Sequence, residues 1–165
     1  MLKLPRAVWL LGWVSLATDA ASEAIYPLLP FFLTRVLSAG AISIGIVGTD
    51  PFGDEIDKAL KNKTVKDRSF SIHRFRETGD IRQCHILFVP RSEKSRLHEI
   101  LKQVEPWPVL TVGEDEGFAR AGIVVNILIE KEKPRLEVNA EAAEKAKLTI
   151  NSKLLKLATI VRTAK

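Results

Sequence analysis

Cysteine is almost missing from this chain: Cys84 stands alone among 165 residues, which excludes an internal disulfide and a multi-thiolate zinc site. The compartment stays open, because an exported protein folds without disulfides as well as with them. No block of one charge occurs either. The 25 Lys+Arg and 20 Asp+Glu give a formal net charge of +5 with both signs interspersed. Phosphate-binding proteins concentrate positive charge on one face or run, and no RNA-binding or zinc-finger pattern is present, so nucleic acid is not an expected partner. HExxH and the P-loop Lys-Ser/Thr pair are also absent. The length allows one domain of ordinary size plus an appendage.

What the chain does have is a change of character between Ala41 and Val47. Lys3 and Arg6 precede an apolar run from Ala7 to Ala17, and Ser15 and Ala17 are the small residues that cleavage after Ala17 needs, the pattern of an export signal. Apolar character resumes after Asp19 and Glu23 through IYPLLPFFL, giving a stretch near the ~20 residues that cross a bilayer. Acids at that depth are costly, and Pro27 and Pro30 kink a continuous helix. A signal peptide, a membrane anchor and the start of a transporter are all open. Lys3 and Arg6 favour a cytoplasmic N-terminus for a single span, which places the rest of the chain in the periplasm, and cleavage exports it to the same side.

Residues Leu4 to about Val47, above all WLLGWVSLATDAASEAIYPLLPFFLTRVL, resemble the first transmembrane helix and following loop of a bacterial branch of the major facilitator superfamily. The further helices such a transporter needs do not follow. The resemblance therefore implies ancestry or a sequence splice, not transport.

From Ile42 onward strand and helix patterns alternate. ISIGIV predicts a strand, a Thr49 to Gly53 turn follows, and Asp54 to Leu60 begins an amphipathic helix. SFSIHRF predicts a second strand, and CHILFVP a buried central one in a parallel sheet. In SEKSRLHEILKQV, Leu97, Ile100, Leu101 and Val104 share one helical face. PVLTVG predicts a fourth strand and Glu116 to Arg120 a helical turn. GIVVNILIE and PRLEVN, joined by a short charged turn, are expected to pair antiparallel. Asn139 suits a cap for AEAAEKAK, and Asn151 or Ser152 for KLLKLATIV, whose apolar face is expected to hold Leu154, Leu155, Leu157, Ala158 and Val161. The expected fold is α/β: a mostly parallel sheet with an antiparallel edge hairpin, flanked by helices and preceded by a hydrophobic N-terminal helix. The expected organisation is a hydrophobic segment over 1–41 and an α/β domain over 42–165.

Five segments of this second part, GIVGTDPFGD (45–54), CHILFVPRSE (84–93), PVLTVGEDEGFARAG (108–122), RLEVNAEAAEKAKL (135–148) and INSKLLKLA (150–158), resemble in order and spacing the YfiR family. These are mainly exported bacterial domains, best known for a periplasmic repressor of a membrane diguanylate cyclase. The resemblance implies a non-enzymatic regulatory or sensory domain, periplasmic and either released or anchored to the inner membrane. It implies an envelope or inner-membrane signalling protein as partner, admits a homodimer, and requires no cofactor. The second reading is a membrane-anchored remnant or chimera of a transporter gene with no transport activity.

The residues themselves offer several candidate sites. Gly45, Gly48 and Gly53 flank a strand-to-helix turn, but their spacing is not GxGxxG, and Asp50 and Asp54 bring negative charge where a phosphate would sit, so a structural turn is favoured. Cys84 and His85 are adjacent, and on a strand would face opposite sides, which rules out a nucleophile–base pair; a small buried thiol beside an edge or surface imidazole is expected. His73 and His98 lack partners at metal-ligand spacing, so neither a catalytic nor a metal site is expected. Arg74, Arg76, Arg91 and Arg96 suggest a basic rim at the strand ends. Ligands of open α/β sheets bind outside the strands' carboxyl ends, which singles out three loops as candidate ligand or partner surfaces: Asp50, Pro51, Phe52 and Gly53; Arg91 and Ser92; and Glu114, Asp115 and Phe118. For Phe118, burial as a loop anchor is an equally good reading.

Overall fold

The structure is a computed structural model and describes residues 40–65, 67–76, 79–130, 133–150 and 152–164. The transporter-like or signal-anchor segment, the cap at Asn151 and the turn residues Lys131 and Glu132 lie outside the described residues. Among the described residues no helix is long and apolar enough to cross a membrane.

The order of elements is β1 (Ile42–Val47), α1 (Asp54–Leu60), β2 (Thr64–Val65), β3 (Arg68–Phe75), a 3-10 turn (Ile81–Gln83), β4 (Ile86–Val89), a 3-10 segment (Arg91–Arg96), α2 (Leu97–Val104), β5 (Leu110–Gly113), α3 (Phe118–Ala121), β6 (Val125–Glu130), β7 (Lys133–Asn139), α4 (Ala140–Lys145), α5 (Ser152–Leu157) and β8 (Thr159–Val161). The strands form one sheet in the order β2-β3-β1-β4-β5-β6-β7-β8. Five of them, β3-β1-β4-β5-β6, run parallel. The hairpin β6–β7 is antiparallel as expected, from Val125↔Val138 to Glu130↔Lys133, and β8 extends it by one strand, parallel to β7. A second antiparallel pair, β2–β3, closes the other end.

Both faces of the parallel part are covered, which is why its strands read as continuous apolar runs. Side chains alternate across the sheet. Ile44, Ile46 and Phe88 enter a core under α1 and α4 with Ile56, Leu60, Val138, Ala142 and Ala143. Val47, Leu87 and Val89 enter another under α2 and α3 with Leu97, Ile100, Val104 and Phe118. On that second side β1 carries Gly45, where a Cβ would lie 2.6 Å from Cys84 Sγ and 3.0 Å from Phe75 Cε2. No larger residue fits without moving its neighbours.

The end of the chain departs from expectation. Leu154 is buried, and Leu155 and Ala158 pack on the core, but the helix stops at Leu157, which is 82% exposed. Thr159–Val161 is a strand, not the continuation of an apolar helical face. Three successive β-branched residues lose side-chain freedom in a helix and pack well on a pleated surface. Asn139 caps α4 as expected, its side-chain oxygen accepting from Ala142 N at 2.9 Å. The same buried amide donates to Ala119 O (2.7 Å) and Thr163 Oγ1 (2.9 Å), so it also ties α3 and the chain end to the sheet.

Phe88 is fully buried at the centre of the sheet, its ring 4.8 Å from that of Phe52. Phe88→Ala is expected to lower unfolding free energy by about 3–5 kcal/mol, measured as a drop in denaturant midpoint at unchanged slope.

Candidate functional site

Strand order changes direction at β1, because β3 lies on one side and β4, next in sequence among the central strands, on the other. In open α/β sheets the carboxyl ends at such a point form a crevice for ligands. The loops after β1, β4 and β5 lie side by side there, and they carry all nine candidate residues named above.

The loop after β1 starts at Gly48, whose φ of 76° is left-handed and whose N–H donates to Phe75 O at 2.7 Å. Asp50 Oδ1 accepts from Phe52 N at 2.7 Å, closing a side-chain-supported turn. Phe52 points down into the core and is not presented to solvent. Arg74, at the end of β3, crosses to this loop. Its Nε donates to Asp50 Oδ2 (2.6 Å), and its Nη2 donates to Gly53 O (2.9 Å) and to Asp57. Its hydrogen bonds to Asp57 and then Asp50 hold the guanidinium proton more tightly than usual, against the opposing effect of burial.

After β4, Pro90 leads into the 3-10 segment, where Glu93 is buried against the backbone of Gly48, leaving no room for a Cβ at that glycine. Arg96 Nη1 donates to Glu93 Oε2 at 3.3 Å and Arg96 Nε lies 3.7 Å from Glu99 Oε2. After β5, buried Glu114 accepts from Arg91 N at 3.1 Å, and Asp115 accepts from Lys94 Nζ at 2.7 Å. The Lys94 ammonium holds the Asp115 carboxyl below the usual carboxylate range. Phe118, 1% exposed, is the anchor beneath this loop.

The structure thus brings the three loops to one edge but does not make a basic rim. Arg74 and Arg96 turn onto acids, Arg91 is exposed with its Nη2 4.0 Å from Asp115 Oδ1, and Arg76 is exposed. Gly53, Arg91 and Ser92 are the exposed candidates, and Asp50, Pro51 and Asp115 are half-buried. Glu93, Arg74 as a clamp, the buried amide of Asn126 and the bonds of Asn139 to Ala119 and Thr163 are what the sequence did not single out. Glu93 sits in RSEKSR, a run that reads as a solvated face. The signal available for Arg74 was its place at the strand end opposite Asp50.

Cys84 and His85 lie at the opposite, amino-terminal edge. Cys84 precedes β4 instead of lying in it, and its thiol is pushed up by desolvation, partly offset by a hydrogen bond from Ser43. His85 is half-buried at that edge, in keeping with the edge reading. Its Nδ1 accepts from Ser43 N at 3.0 Å and its Nε2 is buried without a partner. Burial first, and the positive charge of Arg68 second, lower its pKa from 6.5. Among the described residues no group of His, Cys, Asp and Glu could hold a metal ion.

A family model described as YfiR/HmsC-like matches residues 23–159. Over 46 residues the chain is 46% identical to an uncharacterized MFS-type transporter of Methanocaldococcus jannaschii, covering 28% of this chain and 11% of that protein. Among solved structures, a conserved domain protein from Vibrio cholerae superposes with a TM-score of 0.54 at 12% identity, covering 79% of this chain and 58% of that one. The ABC domain in complex with L-Trp from Streptococcus pneumonia gives 0.48 at 12% identity, with the same two coverages, 79% and 58%. The chain spans about a tenth of the transporter's length and 58% of either solved chain. At such identity the likeness to the Vibrio cholerae protein is one of fold, a flanked α/β sheet.

Two outcomes test these contacts. Arg74→Ala is expected to destabilise the protein by about 1 kcal/mol, because Arg74 and Asp57 are exposed and only Asp50 is half-buried, and to raise hydrogen exchange in residues 48–57 above that elsewhere. For His85, the native state binds fewer protons than the unfolded one below about pH 6.5, so stability falls as pH falls from there through the lowered native value. Thermal unfolding of the wild type should lose more on going from about pH 7 to about pH 5 than that of His85→Gln; equal losses would remove the assignment.

Proposed function

The chain belongs to the YfiR/HmsC-like family, and on that premise we propose that it is a non-enzymatic regulatory or sensory domain acting in the periplasm, where it modulates a membrane signalling protein such as a diguanylate cyclase. The observation that carries this reading is the family match over residues 23–159. The chemistry of the carboxyl edge supports it. The acids and bases gathered there are spent on one another, Arg74 with Asp50 and Asp57, Arg96 with Glu93, Lys94 with Asp115. Such pairs shape a fixed surface for a partner, with Arg91 and Ser92 at its exposed centre.

Regulation by binding needs different affinity for two states of the target. A tenfold bias between them takes about 1.4 kcal/mol of differential contact, which one or two well-placed side chains supply. A reading as a transporter remnant is favoured by the 46-residue match; a sharp cooperative melt of the full chain in detergent would count against it.

Cells lacking the chain are expected to show altered cyclic-di-GMP, restored by the wild type and less well by Arg91→Glu, and the tagged chain is expected to co-purify with a cyclase or kinase of the inner membrane. Unchanged cyclic-di-GMP and kinase output, together with no bound envelope protein, would sink the proposal.

A further inference from the structure

The amino-terminal edge of the parallel strands is chemically unlike the carboxyl edge. Pairing aligns Ile42 with Phe70, Ile44 with Ile86, and Ile86 with Leu110. Just ahead of these pairs stand Arg68, Gly40, Arg82 and Trp107, in the strand order β3-β1-β4-β5. Three strand spacings separate the first from the last, roughly 14 Å. Trp107 is 46% exposed between Pro106 and Pro108, and the Arg82 guanidinium sits 5.9 Å from its ring centre. Lys61 and Lys63, both exposed, flank the same edge from the α1–β2 connection. The acids there are Asp67, Asp80 and Glu105. The carboxyl edge, by contrast, pairs Asp50, Asp57, Glu93 and Asp115 with Arg74, Arg96 and Lys94, and adds the acids Asp54, Glu114 and Glu116.

We propose that the edge formed by Trp107, Arg82, Arg68, Lys61 and Lys63 docks on a bilayer surface rich in anionic phospholipid. Tryptophan presents an apolar ring and a polar N–H, the combination that settles at headgroup depth. Lysine and arginine beside it are drawn to the negative surface potential over about a Debye length. The chain also enters at this edge: the described part begins at exposed Gly40, and the apolar sequence IYPLLPFFLTRVL lies just ahead of it. Docked in this way, the sheet turns its tryptophan-bearing edge toward lipid and its charge-paired loops away from it. This orientation leaves the carboxyl-edge loops facing outward, and it does not depend on what the chain regulates.

The test uses the full chain with Trp9→Phe and Trp13→Phe, which leaves Trp107 as the reporter of the three tryptophans. The protein is reconstituted in vesicles of brominated phosphatidylcholine with or without phosphatidylglycerol. The expected result is a blue-shifted, quenched Trp107 emission that requires phosphatidylglycerol and is relieved by salt. Replacing Lys61 and Lys63 by alanine together is expected to weaken docking on the order of tenfold. A bimane on Ser92→Cys, at the far edge, is expected to escape quenching. Trp107 emission that is unquenched in vesicle-bound protein, quenching that ignores phosphatidylglycerol and salt, or quenching of the Ser92 probe would each overturn the proposal.

Discussion

The rest of the domain depends on β1 being enclosed on every side. It pairs in parallel with β3 and β4 and is covered on both faces. A strand in that position has no solvent to receive its polar backbone, so each N–H and C=O must be matched by a neighbour, and each side chain must fit space already claimed. The glycine at 45 is the extreme case, since Phe75, Cys84 and Leu87 close around it. Placement of β3, β4 and the turn at Gly48 all follow from fitting around this strand.

The carboxyl edge inherits that geometry. Because β1 and β4 are neighbours, the turn after one and the 3-10 segment after the other must share a narrow space, and Glu93 occupies it against the glycine backbone. A carboxylate where an open α/β sheet usually admits a ligand, with an arginine beside it, makes the crevice a self-satisfied contact. The partner surface proposed at this edge is therefore the outer side of the loops, with residues such as Arg91 and Ser92, more than the crevice floor.

Much of the architecture was legible because each central strand carries its own apolar run and each helix its own face. Asp54 to Leu60, the Val125–Asn139 hairpin and the Asn139 cap are local facts of sequence. What stayed hidden depends on distant partners. The pairing of Thr159–Val161 with β7 overrides a helical reading that Leu154 to Val161 supports on spacing alone. Burial of Glu93 and the clamp by Arg74 arise only when β1, β3 and β4 are side by side, and no local pattern announces them. His85 belongs to the same class, since its hydrogen bond reaches Ser43, 42 residues earlier.

The thiol wedged beside Gly45 has one more consequence. Cys84 is buried, its ionisation is discouraged by desolvation, and it is the chain's single cysteine. An alkylating reagent meets a thiolate there only when the packing around Gly45 opens. The residue is a built-in stopwatch for opening of the amino-terminal edge beside β1, and anything that clasps that edge slows its reading.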